Sequence, residues 1–190
     1  MVDFKHTKNQ AFYDYWLSLP KEGILPHRHN FMPEDVPSLL SSMVIYELVS
    51  ESFIKIRLLG SSIEDRYGLN RTGSNYLDLV ENPRRLKASQ ALWSQAEKPC
   101  GMHTFLEQEL KTGRRAYLEA VGLPVMHDRD GIPLLIFQSN EVVNEHKTPD
   151  KKLYKEPDKK NDKEKSPLKA VRIVKRSFFD LGAGVPDFRD

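Results

Sequence analysis

A chain of 190 residues with 39% apolar side chains and a net charge of +2 can bury one full core and still carry an extension. Its single cysteine, Cys100, excludes an intramolecular disulfide and points to a reducing compartment. There is no N-terminal apolar run with a basic flank and no apolar stretch of spanning length, so neither a signal peptide nor a membrane span is expected, and a soluble cytoplasmic protein is the reading.

Thr7 to Leu19 reads as a helix, with Phe12, Trp16 and Leu19 on one face and Pro20 as its stop. Gly23 to Pro33 is a loop, and Pro33-Glu34-Asp35 opens a helix of one or two turns reaching Ser41 or Ser42. Met43 to Val49 and Phe53 to Leu59 form a hairpin across Glu51-Ser52. In its second strand Phe53, Lys55 and Arg57 interleave with Ile54, Ile56 and Leu58, a period of two. Ser61-Ser62-Ile63-Glu64 fits a capping box. Gly68 and Gly73 mark turns, and a further short helix follows Thr72-Gly73. The longest helix opens at Asn82-Pro83, where asparagine suits the cap and proline the first turn, and runs to Glu97 ahead of Pro99. Leu86, Ser89, Gln90, Trp93 and Ala96 are expected on one face, flanked by Ala88, Leu92 and Gln95.

Three strands follow, Met102 to Leu110, Arg115 to Val125 and Pro133 to Val143. They are joined by a turn at Gly113 and by Asp128-Arg129-Asp130-Gly131, an aspartate-glycine hairpin signal. Leu134-Leu135-Ile136-Phe137 is apolar on both faces, the mark of a central, covered strand. Composition then changes. Residues 145–169 hold nine Lys, six acids and three Pro, a net of +3, whereas the rest of the chain has a net of −1. So polar a segment cannot offset its ordering entropy and reads as a solvated linker. The near-neutral remainder gives no electrostatic case for nucleic acid. Ala170 to Arg176 has the character of a strand. The final SFFDLGAGVPDFRD carries Phe178, Phe179, Leu181 and Phe188, an apolar patch that needs a landing site on its own domain or on a partner. Three units are therefore expected: 1–144, a domain with an N-terminal helical extension; 145–169, a linker; and 170–190, a strand or interaction tail.

The order hairpin, three helices, three antiparallel strands is that of a small α+β sensory fold. RLLGSSIEDRYGLNRTG, together with the run from Trp16 to Leu48 (Trp16, Leu25-Pro26, Arg28, Pro33 and Leu39-Leu40), resembles the bacterial single-domain PAS proteins of the PAS_5 family. Leu123-Pro124, followed by a polar turn and an apolar strand, also fits, and the resemblance spans residues 8 to 143. It implies a five-stranded antiparallel sheet with short helices on one face and the last strand beside the first at its centre, preceded here by the N-terminal helix. It implies no ligand.

No nucleophile motif, phosphate loop or dinucleotide site is present; Gly182-Ala183-Gly184 lacks a following helix. His27-Arg28-His29 with Glu34 or Asp35 is a poor metal set, because an arginine stands between the histidines, so no metal is assigned. Cys100 follows Pro99 outside any flavin-adduct motif, and 82–98 supplies no histidine for haem; His103 on the next strand is the remaining candidate ligand for it. The cofactor is left unknown. Tyr67, Trp93, His103, Phe105, Tyr117 and Phe137 are the candidates to line a small apolar or aromatic ligand site, each with ordinary core packing as the alternative. The face with Phe12 and Trp16 is the candidate surface for a homodimer or a signalling partner.

The function expected is a non-enzymatic sensory or docking module in bacterial signal transduction, acting through a protein partner, a dimer or its tail, without nucleic acid or membrane. A ligand-free adaptor, a small-molecule enzyme on a cone-like sheet and a nucleic-acid binder using the basic tail are the rivals. The enzyme would need an acid–base pair such as His103 with Glu119 within hydrogen-bond reach in a pocket.

Overall fold

The computed structural model describes residues 2–68, 70–110, 113–127, 133–143 and 171–189. The hairpin turn expected at 128–131 and the linker expected at 145–169 lie outside the described residues. In chain order the elements are α1 (Thr7–Ser18), a two-stranded ribbon of β1 (Lys21–Glu22) and β2 (Leu25–Pro26), β3 (Met43–Ser50), β4 (Phe53–Leu59), α2 (Ser61–Tyr67), α3 (Arg85–Glu97), β5 (Cys100–Glu109), β6 (Arg115–Val125), β7 (Leu134–Glu141) and β8 (Arg172–Asp180). Short 3-10 turns fill Arg28–Asn30, Pro33–Asp35, Leu40–Ser42, Tyr76–Leu79 and Asn82–Arg84. The region from Pro33 to Ser42 is thus two separate turns, and the loop from Gly23 contains β2.

The main sheet is antiparallel with order β4-β3-β7-β6-β5-β8. β7 lies beside β3, from Val44 opposite Phe137 to Glu47 opposite Leu134, as the resemblance implies. The expected five strands are all present, but the sheet has a sixth. β8 pairs along β5 from Cys100 opposite Asp180 to Glu107 opposite Arg172, with one register shift between Phe105 and Leu106.

Strand alternation divides the interior into two layers. On one face Val44, Tyr46, Ile56, Leu135 and Phe137 meet α2, α3 and the turn at Tyr76–Leu79. On the other, Met43, Ile45, Val121, Leu123 and Ile136 meet α1 and the loop after it. β7 therefore has apolar residues on both sides because both sides are covered. α1 lies over β6 and β7, and Phe12 and Trp16 are 0% and 1% exposed. The Trp16 indole N–H donates to the Pro124 carbonyl at 2.9 Å. The amphipathic face of α1 is accordingly the second half of the domain's own core, and Phe12 and Trp16 are not a surface for a dimer or partner.

Three local features differ from what the sequence pattern predicts. α2 starts after Gly60 with no side-chain cap, so Ser61-Ser62-Ile63-Glu64 makes no capping box. Asn82 lies inside a 3-10 turn that precedes α3 and does not cap it. The inward face of α3 is Ala88, Ser89, Ala91, Leu92, Gln95 and Ala96, so Ser89 and Ala96 face inward as expected, whereas Leu86 is 64% exposed. Gln95 donates to the carbonyls of Cys100 and Gly122, at 3.1 and 2.7 Å, which ties the end of the helix to the sheet.

The C-terminal aromatics lie on their own domain. Phe178 and Phe188 pack with the α3-side layer, whereas Phe179 and Leu181 join the α1-side layer. Phe179 lies flat over Gly101, its cross-strand neighbour, and a Cβ there would fall 2.0 Å from the ring. Gly101→Val should therefore expel Phe179 and undock β8, at a cost of about 1–3 kcal/mol. Hydrogen exchange should show the amides of residues 172–180 accelerated while those of β3 and β7 stay protected; unchanged β8 protection would contradict this packing.

Candidate functional site

Between the sheet and α2 and α3 the core is not filled. A cavity of about 70 Å³ lies there. Its floor contains small side chains, Ala120 on β6 among them, and its roof includes Ala88 and Ala91 of α3. At one end Phe137 crosses Gly122, whose absent Cβ would lie 2.2 Å from that ring, and the aromatic ring closes the space. From the other side Val171, Ile173 and Arg176 of the β8 region form part of the wall. A groove of about 280 Å³ adjoins it and shares Tyr76, Ala88, Val171, Ile173 and Arg176 with it.

The cavity's polar groups are specific. Thr104 and Gln108 are each 3% exposed, and Thr104 Oγ1 and Gln108 Nε2 have no hydrogen-bond partner. Buried polar atoms are normally paired, and leaving one unpaired costs about 1–3 kcal/mol. Arg66 of α2 reaches over the sheet: Nη1 and Nη2 donate to the Ser139 carbonyl at 3.2 and 3.3 Å, and Nη2 also donates to Ser139 Oγ at 3.2 Å. Its Nε is enclosed and unpaired, and burial holds the guanidinium below its ordinary value. Register places Thr104 opposite Ala120 and Ala120 opposite Ser139, so Thr104 and the Arg66 anchor flank one small residue. Burial pushes the Tyr67 phenol up to about 12 and raises Tyr46 and Tyr76 as well. All three therefore remain protonated hydroxyls at neutral pH.

Of the six residues chosen from sequence, Tyr67 and Phe137 line this cavity and Trp93, His103, Phe105 and Tyr117 do not. Trp93 packs against the edge of the same layer. The other three occupy the opposite face of the sheet, because on β5 and β6 the cavity-facing row is Met102, Thr104, Leu106 with Leu118, Ala120. There Phe105 and Tyr117 stack with centroids 5.7 Å apart, and His103 lies edge-on to Phe4 at 5.2 Å. The signal for the cavity row was its size pattern: Ala120 leaves volume that a row of Tyr117, Glu119 and Val121 would fill, whereas the space over Gly122 is taken by the Phe137 ring.

His103 and Glu119 do meet, at 2.7 Å, but away from the cavity. Glu119 is 0% exposed. Its Oε1 accepts from His103 and from the Lys5 backbone N–H at 2.9 Å, and its Oε2 accepts from the His6 N–H and Asn9 Nδ2, both at 2.8 Å. Asn9 Oδ1 in turn accepts from Asn140 Nδ2 at 2.7 Å. Burial raises the Glu119 pKa, but the four donors outweigh it and hold the carboxyl below the ordinary range. The cluster is a clamp that closes the start of α1 onto β6, with its lone pairs directed at protein donors.

Cys100 is buried, and burial pushes its thiol up to about 12, so it is not a poised nucleophile. His27 and His29 stack at 5.0 Å and His27 faces Glu22 at 3.1 Å, whereas Asp35 accepts from the Tyr15 hydroxyl at 3.0 Å. Among the described residues no group of three or more His, Cys, Asp or Glu side chains could hold a metal. No helix among them is long and apolar enough to cross a membrane.

A family model described as a PAS domain, PAS_5, matches residues 4–136. The chain belongs to the PAS_5 family. The PAS fold positions the cavity, but the match ends ahead of β8, so the β8 wall is an addition to the matched part. Solved structures similar to this PAS domain include a PAS domain from Colwellia psychrerythraea (13% identity, 57% of this chain and 95% of that one, TM-score 0.43). A light-oxygen-voltage (LOV) protein of Rhodobacter sphaeroides is also similar (10% identity, 60% and 68%, TM-score 0.44), as is VqmA of Vibrio cholerae (12% identity, 60% and 52%, TM-score 0.39). Comparison with curated proteins gives no match.

Proposed function

We propose that this PAS domain is a non-enzymatic sensory module of bacterial signalling that takes up a small molecule between the sheet and α3. The observation that carries the reading is the cavity with Thr104 Oγ1, Gln108 Nε2 and Arg66 Nε enclosed and unpartnered. An adaptor with a filled core has no use for such donors, whereas a ligand with acceptor atoms satisfies them. The same geometry weakens the enzyme reading, since the His103–Glu119 pair lies across the sheet from the cavity and Glu119 is saturated by four donors. The output runs by population shift: β8 contributes part of the wall, so occupancy and tail docking bias one another, and a protein partner or a second copy reads the result.

Native beside denaturing mass spectrometry on the protein as purified tests this, with Ala88→Leu as the comparison. Ala88 lines both the cavity and the groove, and leucine there fills the void while suiting a helix. The expected result is a small molecule bound to the wild type and lost from Ala88→Leu, with the variant folded and its melting temperature within a few degrees. A clean wild-type mass, together with no stabilisation by any member of a small-molecule library, would move the function to ligand-free docking.

A further inference from the structure

We infer that the ligand of this cavity is an organic carboxylate whose charge is met by Arg66. The inference rests on the cavity being a ligand site and adds the class of molecule it takes.

The cavity and its groove are lined by four cationic side chains, Arg66, Arg84, Lys87 and Arg176, and by no aspartate or glutamate. The nearby acids are engaged elsewhere. Glu141 takes both terminal nitrogens of Arg114, Asp78 lies 3.9 Å from Arg85, and Glu81 lies 3.9 Å from Arg84 at the rim. Arg66 makes no ion pair among the described residues; its partners are the neutral carbonyl and hydroxyl of Ser139. Arg66 is half-buried and Glu141 attracts it from beyond ion-pair distance, so its own charge is incompletely met, and an arginine presents a planar fork suited to a carboxylate. The Thr104 hydroxyl, on the row that leads to Ser139, and the Gln108 amide N–H are further unpaired donors in the same cavity. Every unsatisfied cavity group can therefore donate, and what is missing is an acceptor.

Size bounds the buried head group. An inner space of about 70 Å³ has room for a small anionic head and not for the whole of a larger ligand. The body of the ligand then lies in the groove of about 280 Å³, where Val80, Val171, Ile173 and Val174 stand beside Arg84, Lys87 and Arg176, which suits an apolar or aromatic remainder with a polar edge.

The test is a set of matched pairs, propionate, benzoate and phenylacetate against their primary amides, each titrated into the full chain by amide NMR. The acids are expected to shift resonances of residues 104–108, 118–120 and 137–139 and to bind about ten-fold tighter than their amides. That preference should vanish in Arg66→Gln, whose amide can still donate to the Ser139 carbonyl. Amides binding as well as acids at those residues would overturn the carboxylate inference and leave the ligand site standing. No member of the set perturbing those residues would overturn both. The acid–amide comparison in the wild type decides the point even if Arg66→Gln fails to fold.

Discussion

Glu119→Ala is expected to cost about 3–5 kcal/mol in stability. The substitution strands the Lys5 and His6 backbone N–H groups, the Asn9 amide and the His103 imidazole at once, and each buried orphan costs about 1–3 kcal/mol before relaxation. The loss should be local first. Hydrogen exchange should show residues 4–18 opening ahead of the sheet, because the clamp joins that segment to β6. Glu119→Gln keeps one acceptor oxygen and should lose less. The pH dependence has a definite sign. The folded carboxyl titrates below its ordinary range, so its contribution is fully present above the unfolded pKa and is lost as pH falls through the depressed folded value. Wild type should thus release the N-terminal segment in acid ahead of global unfolding, and Glu119→Gln should lack that step. Denaturant unfolding that places Glu119→Ala within 0.5 kcal/mol or so of wild type, the range of an ordinary surface change, would show that the clamp carries no weight.

Trp16→Ala should cost a similar amount, about 3–5 kcal/mol for a large aromatic removed from a packed interior, with the Pro124 carbonyl also losing its donor. Sedimentation should find the oligomeric state of the folded variant unchanged, since Trp16 is 1% exposed within its own chain. A variant that keeps its stability and changes its assembly would instead place Trp16 at an interface. This prediction separates two roles for an amphipathic helix that its sequence leaves equivalent. The stripe of Phe12, Trp16 and Leu19 states that the helix must cover something; α1 covers β6 and β7.

The same limit explains the candidate site. Period-two alternation in β5 and β6 showed that each strand has two faces, and both rows were acceptable for a core. The aromatic and ionisable row, His103, Phe105 and Tyr117, carries the groups with evident chemistry. That row lies on the α1 side. The cavity is on the other row, where small residues leave room, and its donors Thr104 and Gln108 are unremarkable in sequence. Arg66 sits in an exposed-looking short helix, and only its approach to Ser139, 73 positions away, makes it a cavity residue. No local pattern encodes that separation.

What the sequence determined by itself was local and periodic. The hairpin of β3 and β4, the strands β5 to β7, the double-sided apolar run of β7 and the turn at Thr72-Gly73 all follow from alternation and turn chemistry over a few residues, and their order, with the spaced motifs, was enough for the PAS_5 family. What only the tertiary structure decided was non-local: which face of the sheet α1 covers, which row of β5 faces a void, the closure of the Glu119 clamp, and the addition of β8 to the β5 edge. Each depends on bringing together segments far apart in the chain. The energy that selects those pairings is burial of shared surface, and it has no counterpart in the neighbouring residues.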